Sequence, residues 1–324
     1  MQLICIWAKR VAVWRMIWTG RGSRGWPALG LVALMTTSQA GMAAEARPLR
    51  ILASFYPMYV HALNVAWGID GVVVENLTEP MTGCLHDFQL TTGHMRRLAD
   101  ADVLVINGGG TKTFLEKVIQ QRPGLKVIDA GKGIEFIRGI HHGGGGGHSD
   151  EEVNAHVWVS PRLAIQQVDN IGGGLAAIDP GRAESYRANA RAYISRLEIL
   201  KDRMARESGW VRGKKVITFH EAFPYFADDL GLEVVAVVQR DPGTEPSPRE
   251  LARTIDLVRK MAVTAVFAEP QYPASGAEAI RRETGLRLGL LDPVVTGPES
   301  PEEARSAYLG AMEKNLRVLR ETLQ

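Results

Sequence analysis

Five side chains of types that bind divalent cations follow short apolar runs, three of them directly, His86 at a short distance and His156 only after a His/Gly-rich insert. His86 lies in Gly83-Cys84-Leu85-His86-Asp87-Phe88, His156 in Asn154-Ala155-His156-Val157-Trp158, and His220 in Thr218-Phe219-His220-Glu221. Glu269 follows Phe267-Ala268, and Asp292 follows Leu290-Leu291. Zinc takes four imidazole or carboxylate ligands tetrahedrally, whereas manganese favours more oxygen and less nitrogen. Three histidines with one aspartate therefore lean to zinc. These groups are far apart in sequence, so a site built from them needs a prefolded frame. Taken singly, each histidine reads equally well as a hydrogen-bonded loop residue.

Other groups invite the same question. Cys84 is two residues from His86, and it either packs in that loop or touches the ion. A second set, His141, His142 and His148, flanks five consecutive glycines. Five glycines hold no fixed structure cheaply, so this segment is expected to be a mobile loop and an auxiliary metal-capturing one. Enzyme motifs fail. His220-Glu221 opens like a zinc-protease helix, but position 224 is Pro, so His-Glu-x-x-His is broken. Gly108-Gly109-Gly110-Thr111-Lys112-Thr113 follows an apolar run but matches no phosphate-loop spacing, and reads as a tight strand-to-helix turn.

The frame comes from the apolar runs themselves. Ile51–Phe55, Val72–Leu77, Val103–Asn107 and Val127–Ala130 form one set of candidate strands. Lys215–Phe219, Val234–Val238, Ala265–Ala268 and Leu288–Leu291 form another. They alternate with helix-like segments and lack clean polar alternation, as strands of parallel sheets covered on both faces do. Between the sets, Asp179-Pro180 offers a helix start. Tyr186, Ala190, Tyr193, Leu197, Leu200 and Met204 then recur every three or four residues. The spacing predicts one helix from Pro180 to about Glu207, roughly 42 Å long, able to brace both α/β parts. The fold class is α/β: two Rossmann-like domains with parallel four-stranded sheets, joined by one long linking helix. The expected boundaries are 45–178, 179–209 for the helix, and 210–324. In such sheets ligands bind beyond the carboxyl ends of the strands, where the five polar groups fall. His61 and His94 lie in predicted helices and are expected to be exposed and uninvolved.

Charge and cysteine usage narrow the setting. The 324 residues carry a formal net charge of +2, but residues 1–44 hold Lys9, Arg10, Arg15, Arg21 and Arg24 and no acid. Without those five charges the remainder stands at −3, which gives no basic footprint for nucleic acid. A basic start, an apolar run from Trp26 to Met35 and small residues after it read as a secretory signal peptide, with a periplasmic destination. No Cys stands at the expected cleavage point, so no lipid anchor is expected. Cys5 leaves with the signal and Cys84 remains alone, so no intramolecular disulfide can form.

The combination resembles the metal-binding receptors of bacterial ABC importers for zinc and manganese, the cluster A-I solute-binding proteins. The stretches that carry the resemblance are "ASFYPMYVHAL", "GCLHDFQLTTGHMRRLADADVLVINGGG", "AHVWVSPRLA", "VITFHEAFPYFADDLGLEV", "VFAEPQYPASGAEAI" and "LLDPVVTGP". It covers the chain from about residue 48 to its end. The resemblance implies two α/β domains with metal between them, and His86, His156, His220 and Asp292 as the ligands. Glu269 and Glu221 would orient the histidines, with Cys84 as a further neighbour. Manganese-type members usually have Glu where His220 stands, so the chain is similar to the zinc branch. Leu85 departs from the Pro that many relatives have there. The function implied is a monomeric periplasmic zinc receptor, not an enzyme, that delivers Zn²⁺ to an ABC permease subunit. A manganese or iron receptor and a zinc-dependent hydrolase are the alternatives.

Overall fold

Eight short strands and nine helices are ordered along residues 47–78, 88–109, 113–138, 153–238 and 246–324, the residues described in this computed structural model. The order is β1 (Leu49–Ala53), α1 (Tyr56–Ala66), β2 (Val72–Asn76), α2 (Thr92–Asp100), β3 (Val103–Ile106), α3 (Thr113–Gln121) and β4 (Lys126–Asp129). Two helices follow, α4 (Pro161–Ile178) and α5 (Ala183–Glu207). The second series is β5 (Lys215–Thr218), α6 (Pro224–Leu230), β6 (Glu233–Val237), α7 (Pro248–Met261), β7 (Ala265–Ala268), α8 (Ser275–Thr284), β8 (Arg287–Leu290) and α9 (Pro301–Leu323).

Both sheets are wholly parallel and share one topology, β2-β1-β3-β4 and β6-β5-β7-β8. The direction of strand addition reverses between β1 and β3, and again between β5 and β7. Loops diverge there, and a crevice opens at the strands' carboxyl ends. Each strand lies within two residues of its sequence-derived position. Parallel strands covered on both faces must be apolar throughout, as β3 and β7 are, with every residue buried.

The long helix begins later than expected. A 3-10 turn, Pro180–Arg182, precedes α5, and Asp179 gives no side-chain cap. Its carboxylate instead accepts from Arg182 and from the Tyr186 hydroxyl, at 2.9 and 3.0 Å. The buried face of α5 is the stripe read from the sequence, Tyr186, Ala190, Tyr193, Leu197, Leu200 and Met204. Asn189 donates to the carbonyls of Val65 and Trp67, covering the last turn of α1.

One apolar cluster runs through α1, α4, α5, α6 and α9 and joins the inner faces of both sheets. Separate clusters lie on the outer faces, where α2 and α3 cover the first sheet and α7 and α8 the second. The C-terminal α9 is a second brace. Asn64 of α1 donates to the Arg305 carbonyl at 3.1 Å, and Tyr308 of α9 donates to the Trp158 carbonyl at 2.8 Å.

Two histidines depart from expectation. His61 and His94 are helical, but neither is exposed. Every residue of α1 is buried, so His61 packs between Tyr193 and Tyr308, at centroid distances of 5.9 and 5.1 Å. His94 closes a capping box at the start of α2: its Nδ1 accepts from the Thr91 amide while Thr91 Oγ1 accepts from the His94 amide. The expected turn after β3 is present where described. Gly108 and Gly109 have φ of +83° and +57°, and a Cβ on Gly109 would sit 2.2 Å from the Phe136 ring.

Candidate metal centre

His220 and Glu269 leave the carboxyl ends of β5 and β7, the two strands at the switch point of the second sheet. Thr218 pairs with Phe267, so the residues two beyond each face one another. Glu269 Oε1 stands 3.2 Å from His220 Nδ1, and both side chains are 2% exposed. Gln271 donates to the other carboxylate oxygen at 2.5 Å.

His156 approaches from the first half, at the start of the 3-10 turn that leads into α4. Its ring lies 4.8 Å from the His220 ring at an interplanar angle of 82°, and 5.0 Å from the Trp158 ring. Asn154, just upstream, meets it twice. Asn154 Oδ1 accepts from the His156 amide at 2.9 Å and lies 2.9 Å from His156 Nδ1. The loop is pinned to the second half by Asn154 Nδ2, which donates to the Glu221 carbonyl at 2.9 Å, and by Tyr225, whose hydroxyl donates to the Asn154 carbonyl at 2.7 Å. Behind it, Asn107 at the end of β3 donates to the Ala155 carbonyl at 2.8 Å and accepts from Gln167 of α4 at the same distance.

Asp292 follows β8. Asn315 of α9 accepts from its amide and donates to its carbonyl, both at 2.8 Å, and one carboxylate oxygen accepts from the Val294 amide at 2.8 Å. Burial pushes this carboxyl above the ordinary aspartate range; the Val294 amide and Lys314 oppose the rise, and the charge of Glu269 adds to it. Trp158 connects Asp292 to the histidines, because its indole donates to the Pro293 carbonyl at 2.8 Å.

The structure thus brings His156, His220 and Glu269 together, while Asp292 is joined to them only through its chain neighbour Pro293, which accepts from the Trp158 indole beside the His156 ring. Among the described residues no group of three or more His, Cys, Asp or Glu side chains is placed to hold a metal ion. His86, Cys84, His141, His142 and His148 lie outside the described residues. Glu221 contributes its backbone carbonyl to Asn154. Asn154, Trp158, Tyr225 and Asn315 were not anticipated as parts of the site. The signal available for Asn154 was its place two residues before a histidine, the spacing at which an Asx side chain reaches a backbone amide.

Two parallel α/β halves that share a braced core, with buried His156 ahead of α4 in ring contact with buried His220 beyond β5, have the architecture of a solute-binding protein. The model of the ZnuA family, described as "Zinc-uptake complex component A periplasmic", matches residues 51–322, and the chain belongs to that family. The zinc-binding lipoprotein AdcA of Streptococcus pneumoniae is 32% identical over 91% of this chain. The chain spans only about 59% of that relative's length. The Zn(II)-bound AdcA structure aligns with a TM-score of 0.72 and 30% identity, covering 85% of this chain and 58% of that one. The high-affinity zinc uptake protein ZnuA of Bacillus subtilis is 27% identical over 90% of this chain and 94% of its own. FpvC of Pseudomonas aeruginosa, solved with Mn²⁺, aligns at a TM-score of 0.72 and 30% identity over 86% and 99% of the two chains.

Proposed function

We propose that the chain is a periplasmic zinc receptor that binds Zn²⁺ between its two halves and delivers it to the permease of an ABC importer. The observation that carries this reading is the pair His156 and His220, contributed by different halves, with rings 4.8 Å apart and both buried. A carboxylate or an amide backs the Nδ1 of each ring, the arrangement that orients metal-binding histidines. The ligand set is His86, His156, His220 and Asp292, with His86 drawn from the sequence alone. Glu269 orients His220 without binding the ion.

Residues 1–44 act as a cleaved signal, and the protein works as a monomer without catalytic activity. Its relatives' names favour zinc, and the Mn²⁺ complex of FpvC makes manganese the ion to compete against it. Two braces, α5 and α9, link the halves, so metal binding is accompanied by local loop movement and not by wide hinge closure.

Calorimetric titration of metal-free protein with Zn²⁺, and then with Mn²⁺ in competition, tests the reading. One tight zinc site that Mn²⁺ fails to displace, weakened at least a hundredfold by His220→Ala, is expected. Unchanged zinc affinity in that variant removes His220 from the ligand set, and preferential Mn²⁺ binding overturns the choice of metal.

A further inference from the structure

We propose that Asn154 is a positioning residue: it fixes which ring nitrogen of His156 carries the proton, and it ties the His156 loop to the His220 loop. The inference rests on the reading of these histidines as zinc ligands for its functional consequence, though the proton assignment stands on hydrogen bonding alone.

An asparagine side chain has two ends of opposite polarity, and two backbone groups of fixed polarity decide its orientation here. The Glu221 carbonyl can only accept, so the end 2.9 Å from it is the amide nitrogen. The His156 backbone amide can only donate, so the end 2.9 Å from it is the oxygen. Both constraints give the same orientation. The oxygen that faces the His156 amide also faces His156 Nδ1 at 2.9 Å, and an amide oxygen only accepts. Nδ1 therefore carries a hydrogen, and in the neutral ring the lone pair resides on Nε2. The hydrogen bond made by one ring nitrogen sets the state of the other. In this tautomer Nε2 is the nitrogen whose lone pair can be given to an ion; in the opposite tautomer Nε2 would first have to lose its proton.

The same amide reaches the residue after His220. Through Asn154 Nδ2, the backbone that carries His220 is held relative to the backbone that carries His156. Tyr225 supports the arrangement: it accepts from the Ile137 amide at 2.9 Å and donates to the Asn154 carbonyl at 2.7 Å. Asn154 is buried, and its backbone amide donates to the Ile137 carbonyl at 2.9 Å, so its position is fixed by the chain on both sides. Ring geometry between two ligands from different halves is thereby set before an ion arrives.

Imidazole ¹⁵N shifts of the metal-free protein distinguish the two tautomers directly, a readout that loss of packing alone would not move. Wild type is expected to show His156 protonated on Nδ1. Asn154→Asp keeps an acceptor toward the ring and is expected to retain that tautomer. Asn154→Leu removes the acceptor and is expected to populate both tautomers, with zinc affinity lowered ten- to hundredfold. Wild type protonated on Nε2, or a Leu variant that keeps the Nδ1 proton fully, overturns the proposal. Should the Leu variant fail to fold, wild type and the Asp variant decide the question, since loss of the Nδ1 proton in the Asp variant is equally fatal. Zinc affinity unchanged in His156→Ala would overturn the ligand reading alone and leave the proton assignment standing.

Discussion

Glu269 and His220 meet 3.2 Å apart at the carboxyl ends of two adjacent parallel strands, both almost wholly removed from solvent. One carboxylate oxygen accepts from Gln271 at 2.5 Å, while the other faces His220 Nδ1 as a charge partner at 3.2 Å. Glu269→Gln keeps the shape but sets an amide NH2 group against either Gln271, which donates to the carboxylate, or His220 Nδ1, which lies 3.2 Å from it. It also removes the negative charge that raises the basicity of the ring. Zinc affinity is expected to fall ten- to hundredfold with stoichiometry unchanged. Titration calorimetry checks this, and an affinity within twofold of wild type would show that Glu269 does not support the ligand.

Trp158 secures the Asp292 loop from the opposite half. Its indole donates to the Pro293 carbonyl, while its ring packs edge-on against Phe55 with centroids 4.8 Å apart. Trp158→Phe retains an aromatic ring but leaves a buried carbonyl without its donor. A loss of about 1–3 kcal/mol in unfolding free energy is expected, measured by urea denaturation of the metal-free protein. A midpoint equal to that of wild type would mean that the indole hydrogen bond is dispensable.

Much of this frame was legible in the sequence because its physical causes are local. A strand buried on both faces must be an apolar run, as β3 and β7 are, and the partly exposed edge strands β2, β4, β6 and β8 keep enough apolar residues to be read beside them. A helix packed along one side must repeat its apolar residues at helical spacing, and α5 does so from Tyr186 to Met204. The second brace was not legible. The apolar positions of α9 look like those of any amphipathic helix, and its partners Asn64 and Trp158 are far away in the chain. His61 misled for a related reason. A polar residue in a helix reads as exposed, yet the segment from Tyr56 to Ala66 is apolar on all sides, the mark of a helix enclosed by its neighbours. At the site, strand ends pointed to His156, His220, Glu269 and Asp292. The hydrogen bond from Asn154 to Glu221 spans 67 residues and leaves no trace in spacing.

Asn315 is a polar residue enclosed within α9, and its amide completes the backbone of Asp292 in both directions. Asn315→Leu is nearly the same size but leaves a buried N–H and a C=O unpaired. Each is expected to cost about 1–3 kcal/mol, partly relieved by movement of the loop. Zinc affinity should weaken as well, because the carboxylate loses its fixed position. Thermal unfolding with and without zinc separates the two effects. A variant with wild-type stability would show that the loop holds its shape unaided.

His61 gives the fold a specific sensitivity to acid. Burial alone pushes its imidazole down to about 3 from the ordinary value of 6.5. The groups against it are the Tyr193 hydroxyl, 3.4 Å from its Nδ1, and the Tyr308 ring; neither offers a negative charge to an imidazolium. The unfolded chain binds a proton at this residue below pH 6.5, whereas the folded chain does so only near pH 3. Between those values the unfolded state holds more protons, so stability falls as pH falls, by up to about 1.4 kcal/mol per pH unit from this residue. Above pH 6.5 the contribution is complete and flat. His61→Leu fills a similar volume without a titrating group and is expected to flatten the decline between pH 6 and 4. Urea unfolding of wild type and variant across that range measures the difference in slope. Parallel curves would mean that His61 finds its proton in the folded state as readily as in the unfolded one, and that the three-way contact among α1, α5 and α9 opens in acid before the rest of the protein.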